Sequence, residues 1–304
     1  MRIVSLLPSA TEIVCALGLT DQLEAVTYEC DHPPEVRAKP IVSDTALPQD
    51  RPLRPGEIDR WVAERMAQGR PLHRLDVDLL RRIHPDLVLT QDLCPVCAVP
   101  SGDVRAALAG LDPAPRILSL DPHTLEDVLA TIVEVGRATG AEERAAELVA
   151  DLQARIERVR RAAVRMPTIR VLCLEWSDPP YVAGHWVPAM VEAAGATSLL
   201  VEPGAPSRRV TWREVTDAIP EVIVFMPCGY YLEEAEAEAE ELLGVHDFAG
   251  TPAARAGDVV AVDATSYFSR PGPRLVDGLE ILAWAVHPDA FPAPPPGRAR
   301  RLGR

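Results

Sequence analysis

Asparagine is absent from this 304-residue chain, and lysine occurs once, at Lys39. That scarcity points to a GC-rich genome and excludes no function. The charge balance excludes more. A net charge of −14 leaves nothing to offset phosphate repulsion over most of the surface, so a nucleic-acid partner is not expected. No apolar run reaches the length of a membrane span. There is no phosphate-cradling glycine loop, no nucleophile elbow and no helical His-Glu zinc motif, so an enzyme would have to be built from Cys/His loops alone. The first sixteen residues are not expected to make a secretory leader. Pro8 and Glu12 interrupt the apolar run, which carries a single basic residue, Arg2. A cytoplasmic chain is the expectation, with its six cysteines mostly reduced.

What is present is strand–helix alternation. The pattern predicts a strand over 2–7 and a helix over 9–17, with Ser9 and Glu12 as a capping box and Gly18 as the stop. Strands follow over 25–28, 86–90 and 116–120, with helices over 57–67, 75–83 and 104–109 between them. Beyond a helical stretch broken at Gly140, Leu148, Leu152, Ile156 and Val159 recur at helical spacing within 141–165. A helix of that length spans roughly 37 Å, enough to join two lobes. Alternation then restarts, with strands over 169–174, 222–225 and 259–262 and helices over 187–194, 212–218, 233–243 and 273–286. The expected organisation is an α/β lobe over 1–122, a helical connector over 123–166, a second α/β lobe over 167–290 and a disordered Pro/Arg tail over 291–304. The acidic run "EEAEAEAEE" is expected to be a solvated helical face.

In open, mostly parallel sheets, ligands bind outside the carboxyl ends of strands. Five loops are therefore read together: "TYECDH", "TQDLCPVCAV", "EWSDPPYVAGHWVP", "MPCGYY" and "ATSYFSRPGPR". They hold most of the chain's aromatics and four of its six cysteines. Tyr28, Tyr230, Tyr231, Tyr267 and Phe268 are candidate ring platforms for a planar ligand, Tyr181 lies in the same loops, and some of these rings belong to the core instead. His185 and Trp186 are placed to pack on such a ligand or to offer it an imidazole; a histidine capping the next helix is the equal alternative. Glu29 and Asp31 suit hydrogen-bond acceptance better than acid–base work. Arg270 suits an amide oxygen or a phosphate. Arg274 is read as a surface ion pair.

Cys94 and Cys97 have the spacing of half a zinc site, but no second CxxC or HxxxH follows. Cys30 and His32 complete a candidate metal set, and Cys228 sits in another of the loops. Thiols lining a ligand wall come first, a zinc clip second and a redox pair third. All three stay open.

"RIVSLLPSATEIVCALGLTDQLEAVT", "HPDLVLTQD", "DPPYVAGHWVPAMVEAAGA" and "YFSRPGPRLVDGLEIL" resemble the cobalamin- and siderophore-binding proteins of ABC importers, the helical-backbone class of periplasmic binding proteins. The resemblance runs from Arg2 to about Pro288. The segments "LCPVCAV", "AGHWVP" and "RPGPRLVDG" are similar to a branch described as cobalamin-binding, many of whose members lack a leader. It implies two Rossmann-like lobes with mostly parallel sheets, joined by a long rigid helix, with the ligand cleft between the lobes. It implies a binding protein, not an enzyme, for cobalamin or a related corrinoid, with an ABC permease as partner. Importer-bound members meet that permease through an acidic residue on each lobe; Asp78 falls at the first position and Glu214 beside the second. The alternative ligand is a ferric siderophore or haem, for which paired basic residues would be expected. The alternative of another class is a metal-dependent or thiol enzyme using Cys30, His32, Cys94 and Cys97.

Overall fold

The computed structural model of the chain describes residues 1–93, 96 and 98–303. In chain order its first part contains β1 (Ile3–Ser5), α1 (Pro8–Ala16), β2 (Leu23–Thr27), β3 (Ile41–Thr45), α2 (Pro55–Ala67) and β4 (His73–Leu75). Then come α3 (Val77–Ile83), β5 (Leu87–Thr90), α4 (Ser101–Ala107), β6 (Arg116–Ser119), α5 (Leu125–Thr139) and α6 (Glu142–Ala163). The strands form one sheet in the order β4-β3-β2-β1-β5-β6. All its pairings are parallel except that of β3 with β4. Both β1 and β5 are buried on both faces, which is why they read as continuous apolar runs. Val4, Leu6, Ala25 and Val88 pack on one face with Leu80 of α3 and Val104 of α4.

One expected local feature is corrected. Ser9 and Glu12 do not cap α1; they lie inside it, buried, and the N-cap is Leu7 with Pro8 starting the helix. Proline fixes the first helical φ without needing an N–H partner, so the start is set one residue earlier.

The second part contains β7 (Ile169–Ser177), β8 (Pro180–Val182), α7 (Val187–Ala193), β9 (Ala196–Ser198), β10 (Arg208–Arg209) and α8 (Trp212–Asp217). It continues with β11 (Val222–Phe225), α9 (Leu232–Leu242), α10 (His246–Ala249), α11 (Pro252–Ala256), β12 (Val259–Val262), α12 (Ala264–Tyr267), α13 (Leu275–Val286) and β13 (Ala299–Leu302). Its sheet is ordered β10-β8-β7-β11-β12-β13, and β9 pairs with the first residues of β7. β7, β11 and β12 run parallel; β8 and β13 are antiparallel to their neighbours. Alternate residues of the central strands, Leu172, Leu174, Ile223, Phe225, Val259 and Ala261, join one core with residues of α8 to α11.

The expectation of a disordered tail is wrong. Residues 299–302 pair with β12, and Leu302 is buried in the same core. Arg301 reaches Asp258 at 2.7 Å, and Arg300 reaches Glu236 at 2.7 Å. Composition marked this segment as loose, yet a parallel sheet leaves an unpaired edge at β12, and covering that edge satisfies its backbone groups.

The chain divides into two units, Met1–Pro122 with Leu129–Ala150, and His123–Val128 with Asp151–Arg304. The chain passes from one unit to the other before His123, within α5 after Val128 and within α6 after Ala150, and α6 runs unbroken from Glu142 to Ala163. Among the described residues no helix is long and apolar enough to cross a membrane.

Candidate functional site

In the first unit the loop leaving β2 carries Tyr28 to His32. The Tyr28 N–H donates to the Ser43 carbonyl at 3.0 Å, and the Cys30 N–H to the Thr27 carbonyl at 3.0 Å, so the loop folds tightly against β3. Its side chains separate into two groups. Tyr28 is 38% exposed, and its phenol donates to Glu29 Oε1 at 3.1 Å. Burial of the hydroxyl and the neighbouring Glu29 charge push its pKa up. Cys30 turns inward, 5% exposed, with its Sγ 3.0 Å from Thr11 Oγ1 of α1. Asp31 pairs with Arg37 at 3.7 Å.

At the end of β5, the Asp92 carboxylate accepts from the Ser101 N–H at 2.8 Å and the Ser119 hydroxyl at 3.2 Å. Hydrogen bonding from Ser101 holds its pKa below the usual range. Cys94 and Cys97 lie outside the described residues. Among the described residues no three His, Cys, Asp or Glu side chains gather to hold a metal ion. Asp78 is exposed in the first turn of α3.

The second unit carries more of the predicted residues. β7, β11 and β12 are parallel, so the segments after Ser177, Phe225 and Val262 emerge at one edge of the sheet. There Trp176 and Tyr230 meet edge-on, with ring centroids 5.9 Å apart and planes at 69°. Trp176 Nε1 donates to the Asp178 carbonyl at 3.1 Å. The Ser177 hydroxyl donates to the Glu238 carboxylate from α9. Burial lifts the pKa of Glu238 against the Ser177 bond, and the Glu241 and Asp178 charges add to the rise. Tyr230 is pushed up by burial and by Glu238. Cys228 is exposed in the same turn, its N–H donating to the Glu175 carbonyl at 3.1 Å.

Tyr181 sits in β8, in register with Trp176 on one side and Arg209 on the other. Because β8 is antiparallel to β7, it carries the chain back from that edge before His185 is reached. His185 has a left-handed backbone, φ 54°, with its N–H donating to the Ala205 carbonyl at 2.6 Å. Its ring lies 6.0 Å from that of His123 and 5.7 Å from that of Trp186. Burial first, then the His123 charge, lowers its pKa, which favours the neutral imidazole. Trp186 is 8% exposed, and its Nε1 donates to the Phe268 carbonyl at 2.9 Å.

Phe268 and Arg270 are 2% and 6% exposed, so both stand in the interior and not on a surface offered to solvent. Tyr267 is half-buried, with Arg298 Cζ 4.9 Å and Arg274 Cζ 5.6 Å from its ring centre. Arg298 comes from the tail segment just before β13 and also pairs with Asp277 at 3.2 Å. Glu214 closes a capping box with Thr211 at the start of α8 and pairs with Arg208 at 3.1 Å.

Sequence reasoning had not singled out Trp176, Ser177, Glu238 or His123. Helical spacing offered a signal for Glu238. The buried positions of α9 are Leu232, Ala235, Ala239 and Leu242, and Glu238 borders that stripe.

Comparison with known proteins gives a consistent picture. The family described as periplasmic binding protein matches residues 3–265. The chain is 25% identical to the ABC transporter substrate-binding lipoprotein YvrC of Bacillus subtilis, over 95% of this chain and 81% of that protein. It is also 25% identical to the vitamin B12-binding protein of Vibrio cholerae, over 92% of this chain and 86% of that protein. Among solved structures, the periplasmic heme-binding protein RhuT from Roseiflexus superposes with a TM-score of 0.69 at 26% identity, covering 95% of this chain and 98% of that one.

Proposed function

The chain belongs to the periplasmic binding protein family as a substrate-binding protein of ABC-importer type, and on that premise we propose that its ligand is a cobalamin-type corrinoid. One observation carries the choice: the Trp176–Tyr230 ring pair at the carboxyl edge of β7 and β11 has carboxylates beside it. Ser177, next to Trp176, donates to the Glu238 carboxylate, and the N–H of Tyr231, next to Tyr230, donates to the Glu234 carboxylate. A corrin periphery carries neutral amides, which donate to carboxylates and carbonyls. Haem propionates and most ferric siderophores bring negative charge, which these groups repel. Stacked or edge-on aromatic contact contributes on the order of 1 kcal/mol beyond area burial, whatever the charge. The vitamin B12-binding relative from Vibrio cholerae supports the same reading.

Haem is the second reading, favoured by one feature: His185, held neutral by burial next to His123, has the chemistry of an axial imidazole. A titration of the purified chain with cobalamin, cobinamide and haem, followed by absorbance and calorimetry, separates the two. One corrinoid per chain, with haem weaker, is the expected result. Trp176→Ala is expected to weaken corrinoid binding about tenfold, the scale of one lost ring contact. Tighter haem binding, or no heat and no spectral change with either corrinoid, would overturn the proposal.

A further inference from the structure

Helix α12 is a single turn of four residues, Ala264–Tyr267, just after β12, and it carries the candidate ring Tyr267. A turn that short does not hold itself, because its first hydrogen bond must fix several dihedrals at once. Its neighbours hold it. The Asp263 carboxylate accepts from the Ser266 N–H at 2.9 Å, and the Thr265 N–H donates to the Tyr230 carbonyl at 3.1 Å. Gly278 of α13 lies so close to the Tyr267 carbonyl that a side-chain carbon there would collide with it.

One residue reaches both ends of this turn. At the start of α12, the Arg298 carbonyl accepts from the Asp263 N–H at 2.9 Å. At its end, the Arg298 guanidinium carbon stands over the Tyr267 ring, 4.9 Å from the ring centre. The guanidinium is itself anchored, since it pairs with Asp277 of α13 at 3.2 Å. Arg155 of α6 pairs with the same carboxylate at 3.2 Å and with Glu280 at 2.7 Å. Arg298 lies outside residues 3–265, the stretch that the family match covers.

We propose that Arg298 is a positioning residue of the ligand site, fixing where the Tyr267 ring stands at the carboxyl edge of β12. The segment leading into β13 thereby becomes part of that site. This rests on the corrinoid reading above, with Tyr267 among the rings that meet the ligand, but the holding itself can be tested without ligand.

Pre-organisation is what such a contact contributes. A tyrosine ring that turns freely loses that freedom when a ligand packs on it, and the loss weakens binding. A cation over the ring, itself held by a carboxylate, restricts the ring before ligand arrives. Lysine can serve the ring or Asp277, but it lacks the planar fork that serves both. Arg274 is the farther cation, with its guanidinium carbon 5.6 Å from the same ring centre.

The ligand-free test is a proton–carbon spectrum of the chain with labelled tyrosine rings. There are five tyrosines, few enough for the Tyr267 signal to be assigned by its loss in Tyr267→Phe. Arg298→Gln should shift that signal. Arg300→Gln, which breaks the pair with Glu236 on the same segment, should leave it in place. In parallel, cobalamin affinity should fall about fivefold in Arg298→Gln, the scale of ordering one side chain on binding. Arg298→Lys should recover part of the loss, and it keeps the idea testable if Arg298→Gln does not fold. Arg300→Gln should bind as wild type does. In a Tyr267→Ala background, Arg298→Gln should bring no further loss, an outcome that a merely structural role for the segment does not give. An unmoved Tyr267 signal, wild-type affinity in Arg298→Gln, or the same fivefold loss in the Tyr267→Ala background overturns the inference. If wild type binds no corrinoid, the ligand reading falls, and the labelled-ring spectrum alone decides whether Arg298 holds Tyr267.

Discussion

A methyl group on Gly184 would stand 2.4 Å from Ser207 N and 2.5 Å from both the Ala205 oxygen and the Pro206 carbonyl carbon. All three are backbone atoms, so no side chain can swing aside. Gly184→Ala is expected to cost about 2–3 kcal/mol, the range for a crowded site that cannot relax. Gly229 is the useful contrast, since at φ 85° it has nothing within 4 Å of its would-be Cβ. Gly229→Ala should cost only about 1 kcal/mol, from the left-handed backbone alone. Urea midpoints of the two variants check this, and equal midpoints would refute the crowding argument. The same dependence on close neighbours limits what the sequence says about which of the site's rings face solvent. "AGHWVP" marks a loop with a planar-ligand vocabulary, but whether each ring faces solvent or core depends on distant partners. Trp186 spends its indole N–H on the Phe268 carbonyl, and Phe268 and Cys30 are buried. Nothing in their immediate sequence distinguishes them from Tyr28, which is exposed.

At the level of elements, legibility followed the length of the apolar run. β5, β11 and β12 are central and buried on both faces, so four consecutive apolar or β-branched residues were enough to mark each. β8, β9, β10 and β13 have two to four residues and no usable period. Their pairing with β7, β8 or β12 is decided by the edge available, not by their own composition. β13 puts a number on that dependence. Leu302 is 6% exposed within the core of the second unit. Leu302→Ala should therefore destabilise the chain by about 2–3 kcal/mol, the usual cost of emptying a buried leucine site. A disordered tail would give no change in the urea midpoint, and that outcome would remove β13 from the fold.

Across the whole molecule, the family and the α/β organisation were legible because they rest on repeated local patterns. Ligand preference was not, because it turns on which charges packing brings beside the rings. Glu238 reaches Ser177 only once α9 has docked on the sheet against β12 and β13. One feature of the whole chain does follow from a single local element. α6 is continuous through Ala150, one of the three places where the chain passes between the units. Ala150 is exposed, so replacing it disturbs the helical backbone without removing core packing. Ala150→Pro removes one hydrogen bond and clashes with the preceding turn, at a cost of about 3 kcal/mol. Ala150→Gly leaves the hydrogen bond in place and should cost about 1 kcal/mol. If the unbroken helix stiffens the connection between the units, the proline variant should give a solution scattering profile that differs from wild type, while the glycine variant should not. A proline variant that keeps both the wild-type profile and the wild-type midpoint would mean that α6 contributes no stiffness at Ala150.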